Sequence, residues 1–80
     1  MKIIEKLEKS LTPMYRIEFN NGNKVFIITT KKWIDFVVYD KNNNIIYNND
    51  SPILKEFAIP VLSIYIKDEN EINELKKIIF

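Results

Sequence analysis

The chain has no cysteine and no histidine, and its 80 residues include one glycine and one arginine. Each scarcity excludes a class of chemistry. Without cysteine there is no disulfide framework and no thiolate metal site, and without histidine the commonest general base and metal ligand is missing. Serine hydrolase triads fall as well, because Ser10, Ser51 and Ser63 stand in no Gly-x-Ser-x-Gly elbow and have no imidazole to activate them. The lone Gly22 cannot build a phosphate-binding loop or a dinucleotide fingerprint, both of which need several glycines to let backbone amides reach phosphate. Long apolar runs are absent too: Ile3 and Ile4 are broken at once by Glu5, leaving no export signal and no span of the roughly 18 residues that a membrane helix needs. The expected compartment is the cytoplasm, with no membrane contact and no cofactor.

What is present is nearly neutral. Twelve basic and 11 acidic side chains give a net charge of +1, and isoleucine, asparagine and lysine supply 36 of the 80 residues. That bias fits an AT-rich genome, such as a low-GC bacterium or one of its mobile elements. The length supports one domain, residues 1–80, which buries about 60 to 65% of the surface of its unfolded chain.

Residues 14 to 29 carry the sharpest pattern. Tyr15, Ile17 and Phe19 alternate with Arg16 and Glu18, Asn21-Gly22 suits a two-residue hairpin turn, and Val25 to Thr29 return as the partner strand. That turn pairs Ile17 with Phe26 and Tyr15 with Ile28, so one sheet face collects Tyr15, Ile17, Phe19, Phe26 and Ile28. The other face then holds Arg16, Glu18, Val25, Ile27 and Thr29. Trp33 to Asp40 reads as a central strand and Ile45 to Asn48 as its partner, with Tyr39 beside Ile46 and Val38 beside Tyr47. Lys2 to Lys9 is read as a lysine-guarded edge strand, a helix being the alternative. Asp50-Ser51-Pro52 marks a helix start, Pro60 its end, and Val61 to Lys67 a further strand with Leu62, Ile64 and Ile66 on one side. Asp68 and Glu71 have capping-box spacing ahead of a C-terminal helix whose apolar stripe is Ile72, Leu75 and Ile79. The expected fold is therefore α+β: an antiparallel meander of five to six short strands, with a short helix and a C-terminal amphipathic helix packed on one face.

Candidate chemistry is sparse. Asp35 interrupts an apolar strand, but one carboxylate without a partner acid or base seldom makes a site. Asp35 and Asp40 lie five apart and point to opposite faces, so they share no metal, and Asp68, Glu69, Glu71 and Glu74 are accounted for by the dipole of the helix they begin. An enzyme is not expected. A single-strand nucleic-acid surface is the alternative reading, with Lys31, Lys32 and Arg16 around Trp33 as a stacking platform, against a net charge far below what such domains carry.

The feature left over is the uncovered sheet face. If the helices cover the side of Ile34, Phe36 and Val38, then Trp33, Val37, Tyr39, Ile46, Val25 and Ile27 point outward, flanked by Arg16, Glu18 and Asp35. Trp and Tyr with a neighbouring Arg have the composition of an interaction hot spot. The expected function is a small non-enzymatic binding module whose interface comprises Trp33, Val37, Tyr39, Ile46, Arg16 and Asp35, docking onto another protein or a second copy. A phage or mobile-element inhibitor of a bacterial defence protein is one form of this, and a toxin–antitoxin component another.

Overall fold

The computed structural model describes residues 1–9 and 11–80, so Ser10, set aside above as a nucleophile, lies outside the described residues. The chain forms β1 (Lys2–Leu7), β2 (Met14–Glu18), β3 (Lys24–Thr29), β4 (Trp33–Tyr39), β5 (Ile45–Asn48), β6 (Ile53–Leu54), α1 (Lys55–Ile66) and α2 (Glu69–Ile79). All pairings are antiparallel. Strands β1 to β5 lie in chain order, and β6 returns to pair with the start of β4 while β5 pairs with its end. Both helices pack on one side of the sheet, where Ile17, Val25, Ile27, Ile34, Phe36 and Val38 meet Ala58, Leu62, Ile66, Leu75 and Ile79 in a single buried cluster. The α+β meander is as the residue pattern implies, and Lys2–Leu7 is the edge strand rather than a helix.

The β2–β3 hairpin departs from expectation by one residue. Phe19 N–H donates to the Asn23 carbonyl and Gly22 N–H to the Phe19 carbonyl, each at 2.9 Å, so the loop holds Asn20, Asn21 and Gly22 instead of Asn21 and Gly22 alone. Gly22 has φ +90°, the left-handed residue that closes a type I turn of this length. Tyr15 therefore faces Ile27 and Ile17 faces Val25. Because side chains alternate across a strand, this shift turns all of β3 over: Val25, Ile27 and Thr29 are buried, while Phe26 and Ile28 lie on the outer face. The β4–β5 turn repeats the geometry, with Asp40 N–H donating to Asn44, Asn43 N–H to Asp40, and Asn43 at φ 67° in the position of Gly22.

The second departure is α1. Val61–Ile66 is helical and continuous with the turn before it, so Pro60 sits inside the helix without ending it. Proline removes one i to i−4 hydrogen bond there, but Ala58, Leu62 and Ile66 still fall on one side and are buried against the sheet. Ile64, expected beside Leu62 and Ile66, points away from them and is 62% exposed. The helix begins at Lys55, after β6, rather than at Asp50–Pro52, and Leu54 at its start provides no side-chain cap.

Helix α2 begins as its residues imply, with the Asp68 carboxylate accepting from the N–H groups of Asn70 and Glu71 at 2.9 and 3.2 Å. Glu71 does not reach back to complete a capping box. It is buried and accepts from Asn20 N–H at 3.0 Å, with the Met1 amino group at 3.2 Å. The β2–β3 tip is also fastened to α1: the side-chain amides of Asn21 and Asn23 each donate to the Tyr65 carbonyl at 2.8 Å, satisfying one of the carbonyls at the C-terminal end of the helix.

Replacing Gly22 by Ala should destabilise the protein by about 1 to 2 kcal/mol, the usual cost of a left-handed residue bearing Cβ, with a further contribution from the Lys41 Cβ that would lie 3.1 Å away. Asn43→Gly, at the matching position of the other turn, should be neutral or stabilising. Urea unfolding of the two variants checks the shared turn geometry; an unaffected Gly22→Ala protein contradicts it.

Candidate functional site

The outer face of the sheet is assembled by cross-strand register into rows. Glu5, Arg16, Phe26, Val37 and Asn48 form the middle row, and Lys2, Glu18, Lys24, Tyr39 and Ile45 the row on the side of the two hairpin tips. On the other side Leu7, Met14, Ile28 and Asp35 run in register, and Trp33 follows beyond them next to Leu54 of β6. Charge concentrates on β1, β2 and the start of β3, where Lys2, Glu18 and Lys24 in one row and Glu5 and Arg16 in the next alternate in sign. The apolar part runs obliquely from Leu7 and Met14 through Ile28, Phe26 and Val37 to Tyr39, with Trp33 at the other end of β4 beyond Asp35.

Arg16 is tied in place by two contacts: its Nε lies 3.2 Å from the Glu5 carboxylate, and its guanidinium sits 5.0 Å above the centre of the Phe26 ring. The ion pair is solvent-exposed and worth about 1 kcal/mol or less, but the stacked guanidinium extends the flat apolar surface of Phe26. A bulge at Ile4 pushes that residue toward the same face, and Ile4, Arg16, Lys24, Phe26, Tyr39 and Asn43 line a shallow groove of about 370 Å³. A second depression, about 460 Å³, lies between Ile28, Trp33, Asp35 and Pro52.

Of the residues expected in the interface, Trp33, Val37, Tyr39, Arg16 and Asp35 share this face. Trp33 is 48% exposed, and Val37, Tyr39 and Asp35 are half-buried. Ile46 does not join the row: a bulge in β5 brings Ile45, not Ile46, opposite Tyr39. Val25 and Ile27, expected outward, are in the core. Their places are taken by Phe26 and Ile28, which the pattern assigned to the core, and by Met14, Leu7 and Ile4, which it did not single out. The signal that could have found Phe26 and Ile28 is Asn20-Asn21-Gly22 read as a three-residue loop.

The nucleic-acid set does not assemble. Lys31 and Lys32 are exposed in the turn before Trp33, near Lys55 and Phe80. Arg16 lies two strands across and four residues along from Trp33, roughly 16 Å away by strand dimensions, and is already engaged by Glu5. Among the described residues no three acidic side chains gather as a metal site would require. Nothing matched the chain: no protein-family model, no curated protein and no solved structure.

The groove's rim includes the β4–β5 turn. Asp40 accepts from the Asn44 and Asn42 N–H groups at 2.9 and 2.8 Å and from the Asn44 side-chain amide at 3.1 Å. The Asn44 backbone N–H foremost, helped by that side chain, by Asn42 and by the Lys24 ammonium, holds the Asp40 carboxyl below its ordinary value of 3.8. A depressed carboxyl stabilises the fold at pH above its unfolded value and loses that contribution as pH falls through the folded one. The protection factors of the Asn42 and Asn44 amides should accordingly fall as pH drops below 3.8 and through the lowered folded value, while that of Ile27 in the sheet centre is kept; unchanged protection in the turn contradicts this arrangement.

Proposed function

We propose that the protein is a non-catalytic docking module that binds another protein through the outer sheet face centred on Phe26, Ile28, Val37, Trp33 and Tyr39. The observation that supports this reading is the oblique apolar band on a sheet whose covering helices both lie on the other side. A sheet face left to water is ordinarily polar, whereas this one gathers aromatic and β-branched side chains with a stacked arginine. Such surfaces supply the few well-desolvated contacts that carry most binding energy.

The charges around the band favour a protein occupant over a nucleic acid. Glu5, Glu18 and Asp35 lie on the same face as Lys2, Arg16 and Lys24, so a phosphate backbone laid across it would meet as many acidic as basic groups. A protein surface of mixed sign meets no such conflict. Occupying a partner's surface is also how a protein without a catalytic set acts on a target. An inhibitor carried by a mobile element would work in this way, consistent with the AT-rich composition.

A photo-crosslinking residue placed at Val37 should form one discrete protein adduct in cells of the native host, while the same residue at Asn73, exposed on α2, should not. Trp33→Ala and Tyr39→Ala should each weaken binding to that protein about 30-fold, as a hot spot near 2 kcal/mol implies, with the circular dichroism unchanged. Adducts of equal yield from both positions, or adducts sensitive to nuclease, contradict the proposal.

A further inference from the structure

Helix α1 is apolar on every side. Between Glu56 and Lys67 it carries no charged residue, and the side facing the sheet accounts only for Ala58, Leu62 and Ile66. Phe57 and Ile64, seven residues apart and hence two turns along the same line, project from the opposite side and are 59 and 62% exposed. Pro60 and Val61 lie between them on that side. A helix at a protein surface normally keeps its outer face polar, and one apolar all round is normally covered. Here the helical layer leaves the stripe of α1 open.

We propose that a second copy of the chain covers this stripe, through antiparallel packing of α1 on α1 about a two-fold axis near Pro60 and Val61. The sequence of the stripe matches itself under that operation. Phe57 of each copy falls beside Ile64 of the other, and Pro60 beside Val61, so both large side chains find an apolar neighbour twice over.

Charge selects the same orientation. Glu56 is exposed at one end of α1 and Lys67 at the other. Antiparallel packing brings Glu56 of one copy within about 3 Å, along the axis, of the level of Lys67 of the other, two residues at 1.5 Å each. It also sets the basic end of the molecule, with Lys31, Lys32 and Lys55, toward Asp68 and Glu69 of the second copy. Parallel packing would oppose Glu56 to Glu56 and Lys67 to Lys67. An isologous contact of this kind closes on itself and stops at two chains. The sheet edges are the poorer route: β1 and β5 are each interrupted by a bulge, and lysines guard the β1 edge. The dimer leaves both outer sheet faces free and on opposite sides of the particle.

Light scattering across a concentration series tests the arrangement. The unaltered chain should show twice its own mass, and Phe57→Ser with Ile64→Ser should return it to the single-chain mass with unchanged circular dichroism. Glu56→Lys should weaken the dimer about 10-fold at low salt, and adding Lys67→Glu to it should restore the affinity, which only the antiparallel arrangement provides. Trp33→Ala with Tyr39→Ala should stay dimeric, which separates this contact from docking through the sheet. A single-chain mass at every concentration overturns the proposal, as does a dimer that survives the Phe57 and Ile64 changes or is lost with Trp33 and Tyr39.

Discussion

The architecture depends on how the β2–β3 turn is closed. With Asn20, Asn21 and Gly22 in the loop and Gly22 at φ +90°, β3 presents Val25, Ile27 and Thr29 to the helices; with one residue fewer it would present Phe26 and Ile28. The strand cannot decide for itself, because Val25, Phe26, Ile27 and Ile28 are apolar on both sides and burial rewards either choice about equally. The decision passes to the turn. Asn21 and Asn23 then bind the Tyr65 carbonyl, so the residues that set the register also anchor the helix that covers the chosen side. Local backbone chemistry thus determines which apolar residues become core and which become surface.

The same economy governs association. A small sheet exposes unpaired backbone at its edges, and here each edge carries a bulge, at Ile4 in β1 and at Ile46 in β5, with Lys2 and Lys6 on β1 adding charge. Growth of the sheet from chain to chain is therefore discouraged. The two layers nevertheless keep apolar material on their outer surfaces, the oblique band of the sheet and the Phe57–Ile64 stripe of α1. Because the two surfaces lie on opposite sides of the sandwich, one contact can be made without displacing the other, and each sheet surface of a paired molecule would be free to take a partner of its own.

Much of this was legible in the amino acids. The positions of β1 to β5, the inward side of β4 at Ile34, Phe36 and Val38, the outward placement of Trp33, Val37 and Tyr39, and the Asp68 cap of α2 all follow from alternation and capping chemistry, because each has polar and apolar residues in contrast; β6, at Ile53 and Leu54, does not, since those residues read as the start of a helix. Legibility fails where contrast fails. Strand β3 has none, so its face hinged on a turn length that Asn-Asn-Gly leaves ambiguous between two and three residues. Val61 to Ile66 is apolar enough to read as a strand, and Pro60 strengthened that reading, yet continuing the helix buries Leu62 and Ile66 while keeping the chain on one side of the sheet. The bulge that substitutes Ile45 for Ile46, and the turning of Glu71 into the interior to meet Asn20 and Met1, are tertiary outcomes without a local signature.

The central claim is that the sheet is sealed on one side only, with Phe26 and Ile28 outside and Val25 and Ile27 inside. Relaxation of methyl signals by a soluble paramagnetic probe reads this directly, residue by residue. Strong enhancement at Ile28 and Val37 with protection of Val25, Ile27 and Val38 is the expected result; protection of Ile28 and Val37 equal to that of the core, or enhancement at Val25 and Ile27 instead, would contradict it.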